Sequence, residues 1–201
     1  NIAIEKYPRL IKKIPKEFIT QEMCNAVVAK MPSLIKAIPR SFATKEMYKY
    51  AVLSIPKLIH QIPEEFITQE MCNDAIDNDI TLMDYIPVNN ITQEMREKAY
   101  QSILNKQNPQ LIKFIPEEKV TVDMCYFAVE CMPILIKYIP IKFITPDLSI
   151  KMLKANPYSS HLVPYALGKM EQNKAIELIN RIVDEIPNII KIGESIPRTY
   201  L

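Results

Sequence analysis

The chain has 201 residues, with 25 basic against 23 acidic side chains, a net charge of +2, 48% hydrophobic residues, 2 Gly, 16 Pro and 4 Cys. Near-balanced charge excludes a chain given over as a whole to polyanions, though not a local basic stripe. Scarce glycine excludes hairpin-rich β structure and phosphate-cradling loops, and no apolar run reaches the roughly 18 residues of a membrane helix.

So much proline suits a helical protein only as punctuation, and it falls at fixed intervals. Residues 32–56 read PSLIKAIPRSFATKEMYKYAVLSIP, and the pattern recurs from anchors at Pro8, Pro32, Pro56, Ile80, Pro109, Pro133, Pro157 and Pro187. Most intervals are 24 residues; those before Pro109 and Pro187 are 29 and 30. A constant period in this range predicts stacked units that each touch only their neighbours. The expected fold is all-α: an α-solenoid of short two-helix repeats wound as a right-handed superhelix, one array over residues 1–201.

In chain order, residues 2–7 resemble the end of the unit's longer helix without its cap. Each anchor then opens a short helix. The second and third places after the anchor are apolar (Leu10 and Ile11, Leu34 and Ile35, Leu58 and Ile59, Leu82 and Met83, Leu111 and Ile112, Leu135 and Ile136, Ile189 and Ile190), broken only by Ser159 and Ser160. The sixth place is apolar too, so one face is buried. Proline suits the first helical position. A second proline seven places on, from Pro15 to Pro164, is expected to stop the helix, because the residue before proline is pushed out of the α region.

A linker brings a threonine in six units: Thr20, Thr44, Thr68, Thr92, Thr121 and Thr145. Threonine is a good N-cap. An acid follows two places later each time (Glu22, Glu46, Glu70, Glu94, Asp123, Asp147), where it offsets the helix dipole. The spacing predicts a second helix of about three turns, with Met and Ala along its buried stripe. Gln101 to Gln107 enlarges one such helix or its exit loop. From Tyr158 to Asn173 the threonine cap and the Leu-Ile pair are lost, and a change of array geometry is expected. Neither end carries a polar capping repeat, which solenoids need, so the array is expected to continue beyond these residues.

Cys24, Cys72 and Cys125 share one register, which favours small apolar fillers over disulfides and a reducing, intracellular setting. The unit resembles a family of short helix-turn-helix repeats found in uncharacterised proteins of giant DNA viruses and of some bacteria and protists. The resemblance covers residues 8–156 well and 157–201 loosely, and it implies no activity. The Ile-, Lys- and Asn-rich composition suits an AT-rich genome.

The fourth place after each anchor holds Lys12, Lys36, His60, Asp84, Lys113, Lys137, His161 and Lys191. Read on an α-helix, that place sits at the edge of the buried face. Stacked units would align the seven basic residues as a ladder with rungs roughly 10 Å apart. The ladder is either a rail for phosphates or an acidic partner, or a row of side chains that pair with the acids or lie along the Leu-Ile face. Neither histidine has a ligand at metal spacing, and Cys125 and Cys131 are six apart, so no metal site or cofactor is expected. Tyr48, Tyr50, Tyr126, Tyr138, Tyr158 and Tyr165 scatter over registers and form no one-per-repeat stacking platform. No nucleophile elbow, phosphate loop or catalytic carboxylate pair is readable.

The expected function is a non-enzymatic scaffold that holds a protein partner on an extended face. Nucleic-acid or polyanion binding through the ladder is the alternative, and a virion or adaptor assembly element is a third. No membrane span is expected.

Overall fold

A computed structural model describes residues 2–186. All regular structure there is helical, with no strand among the described residues. The chain folds as two compact units, Asn1–Met95 and Arg96–Leu201.

The first unit opens with α1 (Ile2–Lys6) and continues through α2 (Gln21–Lys30), α3 (Lys45–Ser54) and α4 (Gln69–Asn78); α5 (Gln93–Leu104) begins in it and ends in the second. Between these helices lie six-residue 3-10 helices: Pro8–Lys13, Pro32–Ala37, Pro56–Gln61 and Ile80–Tyr85. There α1 packs on α2, α2 on α3 and α3 on α4, each also against the 3-10 helices beside it. The second unit has α6 (Val122–Cys131), α7 (Pro146–Ala155), α8 (Val163–Leu167) and α9 (Gln172–Glu185), with 3-10 helices at Pro109–Phe114, Pro133–Tyr138 and Pro157–Leu162. There α6 packs on α7, and α7 on α9.

The prolines explain why the short elements are 3-10 rather than α. Bonds from i to i+3 close within fewer residues, which suits a stretch bounded by Pro8 and Pro15 or Pro32 and Pro39. The residue before the second proline is extended as expected, with ψ of 129° at Ile14, 128° at Ile38 and 131° at Ile139. Five linkers carry one further 3-10 turn each, at Lys16–Phe18, Glu64–Phe66, Val88–Asn90, Glu117–Lys119 and Ile141–Phe143. Most sequence units therefore hold three helical elements where two are expected. The second proline's fixed φ sets up this extra turn instead of an open linker.

All six threonines cap as expected. Each Oγ1 accepts from the N–H three residues on, at 3.4 Å for Met23, 3.2 Å for Met47, 3.3 Å for Met71, 3.2 Å for Met95, 3.4 Å for Met124 and 3.2 Å for Leu148. The core runs under both element types: Ile11, Ile35, Ile59 and Met83 from the 3-10 helices, with Val27, Ala51 and Ala75 from the α-helices, are at most 2% exposed.

The two enlarged stretches differ in kind. In the first, α5 runs to 12 residues and ends in a turn where Lys106 N–H donates to Ile103 O and Gln107 N–H to Ser102 O. This is a Schellman closure, with Lys106 (φ 53°) at the left-handed position usually held by glycine. In the second, Pro164 does not stop the helix. Val163 is helical (φ −57°, ψ −45°), and the chain runs straight into α8 with the proline in its first turn, where no N–H is needed. Burial of Val163, Ala166 and Leu167 outweighs the preference of a pre-proline residue for extended backbone.

Candidate functional site

A 3-10 helix has three residues per turn, so residues three apart eclipse. Places three and six form the inward row, for example Ile35 and Ile38, both buried. Places one and four form a row that faces away from it. The ladder therefore stands on the outermost row, not at the edge of the buried face. The expectation failed because it used α-helical geometry.

In the first unit Lys12, Lys36, His60 and Asp84 are all exposed, as are Arg9, Ser33 and Lys57 of the same row. In the second, Lys137 and His161 are exposed beside Ile134 and Tyr158, and Lys113 is half-buried. Lys191 lies outside the described residues.

Among the described residues three ladder lysines, Lys12, Lys36 and Lys137, do not pair with the acids of the α-helix starts, nor do they enter any other ion pair. Two of those acids pair with cations on neighbouring α-helices: Glu70 with Lys49 at 2.7 Å and Asp147 with Arg181 at 2.6 Å. Glu22 is held below the usual carboxylate range first by the Thr20 hydroxyl and then by its own backbone N–H. The α-helices thus neutralise part of their own charge, and the 3-10 face leaves three lysines without an ion pair.

Both histidines make the same local bond. His60 Nδ1 meets Lys57 O, and His161 Nδ1 meets Tyr158 O at 3.0 Å. A carbonyl only accepts, so Nδ1 carries its proton in both rings. Nε2 of His60 is then the acceptor when the ring is neutral, and Gln61 Nε2 stands 3.2 Å from it.

The fifth place after the anchor carries a signal that tabulating Leu, Ile and Lys positions misses. It holds Lys13, Ala37, Gln61, Tyr85, Phe114, Tyr138 and Leu162. The Tyr85 ring packs tilted against His60, at 5.3 Å between centroids, and Lys113 Nζ lies 5.7 Å from the Tyr138 ring. In both cases an aromatic at place five covers the ladder residue of the preceding sequence unit. Listing the side chains register by register would have exposed this.

Where place five is Ala37, no ring covers Lys12. An open groove of about 510 Å³ lies there, lined by Ile11, Lys12, Ile14, Lys16, Lys36 and Ala37 among others. The second unit has a groove of about 480 Å³ on its α-helical side, lined by Asp123, Glu130, Asp147, Lys151 and Arg181 among others. Its charges cancel internally: Lys151 meets Glu130 at 2.8 Å, and Arg181 meets Asp147 and Glu185. These bonds, Asp147 first, hold the Arg181 guanidinium protonated beyond its ordinary range.

Cys24, Cys72 and Cys125 are buried and free, and Cys131 is exposed. Burial pushes the Cys72 thiol up to about 11 and the Cys125 thiol up to about 12. These three are packing residues, as their register suggests. No three His, Cys, Asp or Glu side chains converge among the described residues in a way that could hold a metal. No helix there is long and apolar enough to cross a membrane. Comparison with family models, with curated proteins and with solved structures found no match.

Proposed function

We propose that this chain is a non-enzymatic scaffold: an α-solenoid of short helical repeats, wound as a right-handed superhelix, that holds a protein partner on the exposed row of its 3-10 helices. The observation that carries this reading is the mixed character of that row. Cations without a carboxylate partner and exposed apolar side chains both occur on and around it. In the first unit these are Lys12 and Lys36, with Tyr85 and Val88 exposed farther along. In the second, Lys137 stands among Ile134, Tyr138, Ile141 and Tyr158. Aromatic and aliphatic surface among cations suits a protein interface, and contiguous exposed apolar surface marks interaction sites. Buried free thiols support an intracellular place of action.

Polyanion binding is the second reading, favoured by the unpaired Lys12, Lys36 and Lys137. It asks for cations that track a phosphate backbone, and the interleaved Ile134 and Ile141 add nothing to that.

The test is purification of the tagged chain from its source cell at physiological salt, with and without nuclease. Discrete proteins retained after nuclease support the scaffold. Nucleic acid, or proteins that leave with it, would sink the scaffold reading and promote the second.

A further inference from the structure

We infer that the groove between the 3-10 helices Pro8–Lys13 and Pro32–Ala37 is a docking site for an acidic peptide segment of a partner, one that inserts a single aliphatic side chain between flanking carboxylates. The inference rests on the scaffold reading and narrows it to one site and one partner chemistry.

Three observations converge. The groove's cations are Lys12, Lys16 and Lys36, all exposed and in no ion pair, and its lining includes no acidic residue. Six other cations sit within 3 Å of a carboxylate: Arg40, Lys49, Lys119, Lys151, Lys154 and Arg181. A rim of one sign with no carboxylate in its lining calls for carboxylates from outside. The floor is apolar: Ile11, Ile19 and Ile38 are buried, with Ile14 and Ala37 half-exposed above them. An apolar floor offers nothing to a phosphate backbone but can desolvate a leucine or isoleucine. Lastly, the opening is set by one side chain. Place five is Ala37 here, whereas Tyr85 and Tyr138 occupy it elsewhere and cover His60 and Lys113. The same backbone therefore exists in a filled and an open form, and the open form coincides with the unpaired lysines.

That coincidence supplies the test. Ala37→Tyr keeps every charge and installs a side chain that this register already tolerates about half-exposed, at 49% for Tyr85 and 51% for Tyr138. The full chain is titrated by fluorescence anisotropy with a labelled Asp/Glu-rich decapeptide carrying one central leucine. The same peptide with serine at that place, and an oligodeoxynucleotide of equal charge, are the comparison probes. Saturable binding of the leucine peptide is expected, weakened about tenfold by the leucine-to-serine change. Ala37→Tyr is expected to weaken it by a similar factor, with an unchanged helical circular-dichroism spectrum and melting temperature. Lys12→Glu with Lys36→Glu, both exposed sites that leave the core intact, is expected to cost on the order of tenfold as well.

Absence of saturable peptide binding overturns the inference. So does binding of peptide and oligonucleotide alike that ignores Ala37→Tyr, which would leave a plain polyanion surface. The outcomes also separate this inference from the scaffold reading. If a nuclease-resistant protein partner is retained equally by the parent and by Ala37→Tyr, the groove fails and the scaffold stands. If no such partner is retained at all, the scaffold itself fails.

Discussion

Residues 133–155 and 157–185 begin alike and end differently. Both open with a proline-led 3-10 helix of six residues, Pro133–Tyr138 and Pro157–Leu162, and both meet a second proline seven places on. After Pro140 the chain stays extended, makes the single turn Ile141–Phe143, buries Ile144 and caps α7 with Thr145. At Pro164 it is already helical, runs through α8 and buries Ala166 and Leu167 instead. Proline fixes its own φ and removes one donor. What lies beyond it decides which side of a helix boundary it marks. Ile-Lys-Phe-Ile-Thr offers branched residues and a cap, whereas Tyr-Ala-Leu offers strong helix formers and an apolar pair for the core.

If both stretches bury their opening helix equally, truncating either core should cost alike. Ile136 and Leu162 are 0% and 3% exposed. Ile136→Ala and Leu162→Ala are each expected to lose about 2–5 kcal/mol in urea denaturation. A loss below about 1 kcal/mol for Leu162→Ala alone would make the second stretch peripheral and break the comparison. The next effect is smaller and asymmetric. Thr145→Ala should cost about 1 kcal/mol, because it orphans the Leu148 N–H. Glu171→Ala at the start of α9 should cost far less, since that residue makes no side-chain capping bond. A third departure from the pattern gives an effect of opposite sign. Lys106→Gly relieves a left-handed backbone and is expected to stabilise by about 0.5–1 kcal/mol. A destabilised variant would mean that the Schellman closure depends on the lysine side chain.

The regular part of this architecture was legible because its signals are local. Thr-x-acid-Met names a helix start through one hydrogen bond to the third N–H, and all six such threonines make it. The paired apolar places name the buried face through burial alone. What escaped the sequence depended on pitch or on a neighbour. Whether six residues between prolines wind as α or 3-10 decides if Lys12 and Lys36 stand at an edge or on the outermost row. Composition does not distinguish the two windings. The groove at Ala37 was invisible for a different reason. An alanine in a variable register matters only when Tyr85 and Tyr138 in the same register are seen covering what it leaves open. Pro164 read as a stop because the rule for pre-proline residues carries no term for the burial of Ala166 and Leu167.

The smallest expected effect tests how the irregular stretch is tied down. Arg181 on α9 bonds Asp147 on α7 at 2.6 Å and Glu185 on its own helix at 2.7 Å, while Lys154 of α7 also reaches Glu185. Hydrogen bonds from Lys154 and then Arg181 hold the Glu185 carboxyl below its ordinary value. A carboxyl whose folded value is lowered adds stability that is fully present above its unfolded value and is lost as pH falls through the folded one. Acidification below about pH 4.5 should therefore loosen α9 on α7. These groups are exposed, so the effect is modest and screened by salt. Arg181→Met removes the guanidinium and keeps much of its apolar stem. Its melting temperature should fall by about one degree at neutral pH and low salt, converge on the parent as the carboxylates are protonated in acid, and converge again at 1 M salt. Arg181→Met melting with the parent at neutral pH and low salt would show that the apolar face of α9, through Leu178 and Ile182, holds the stretch in place without the ion network.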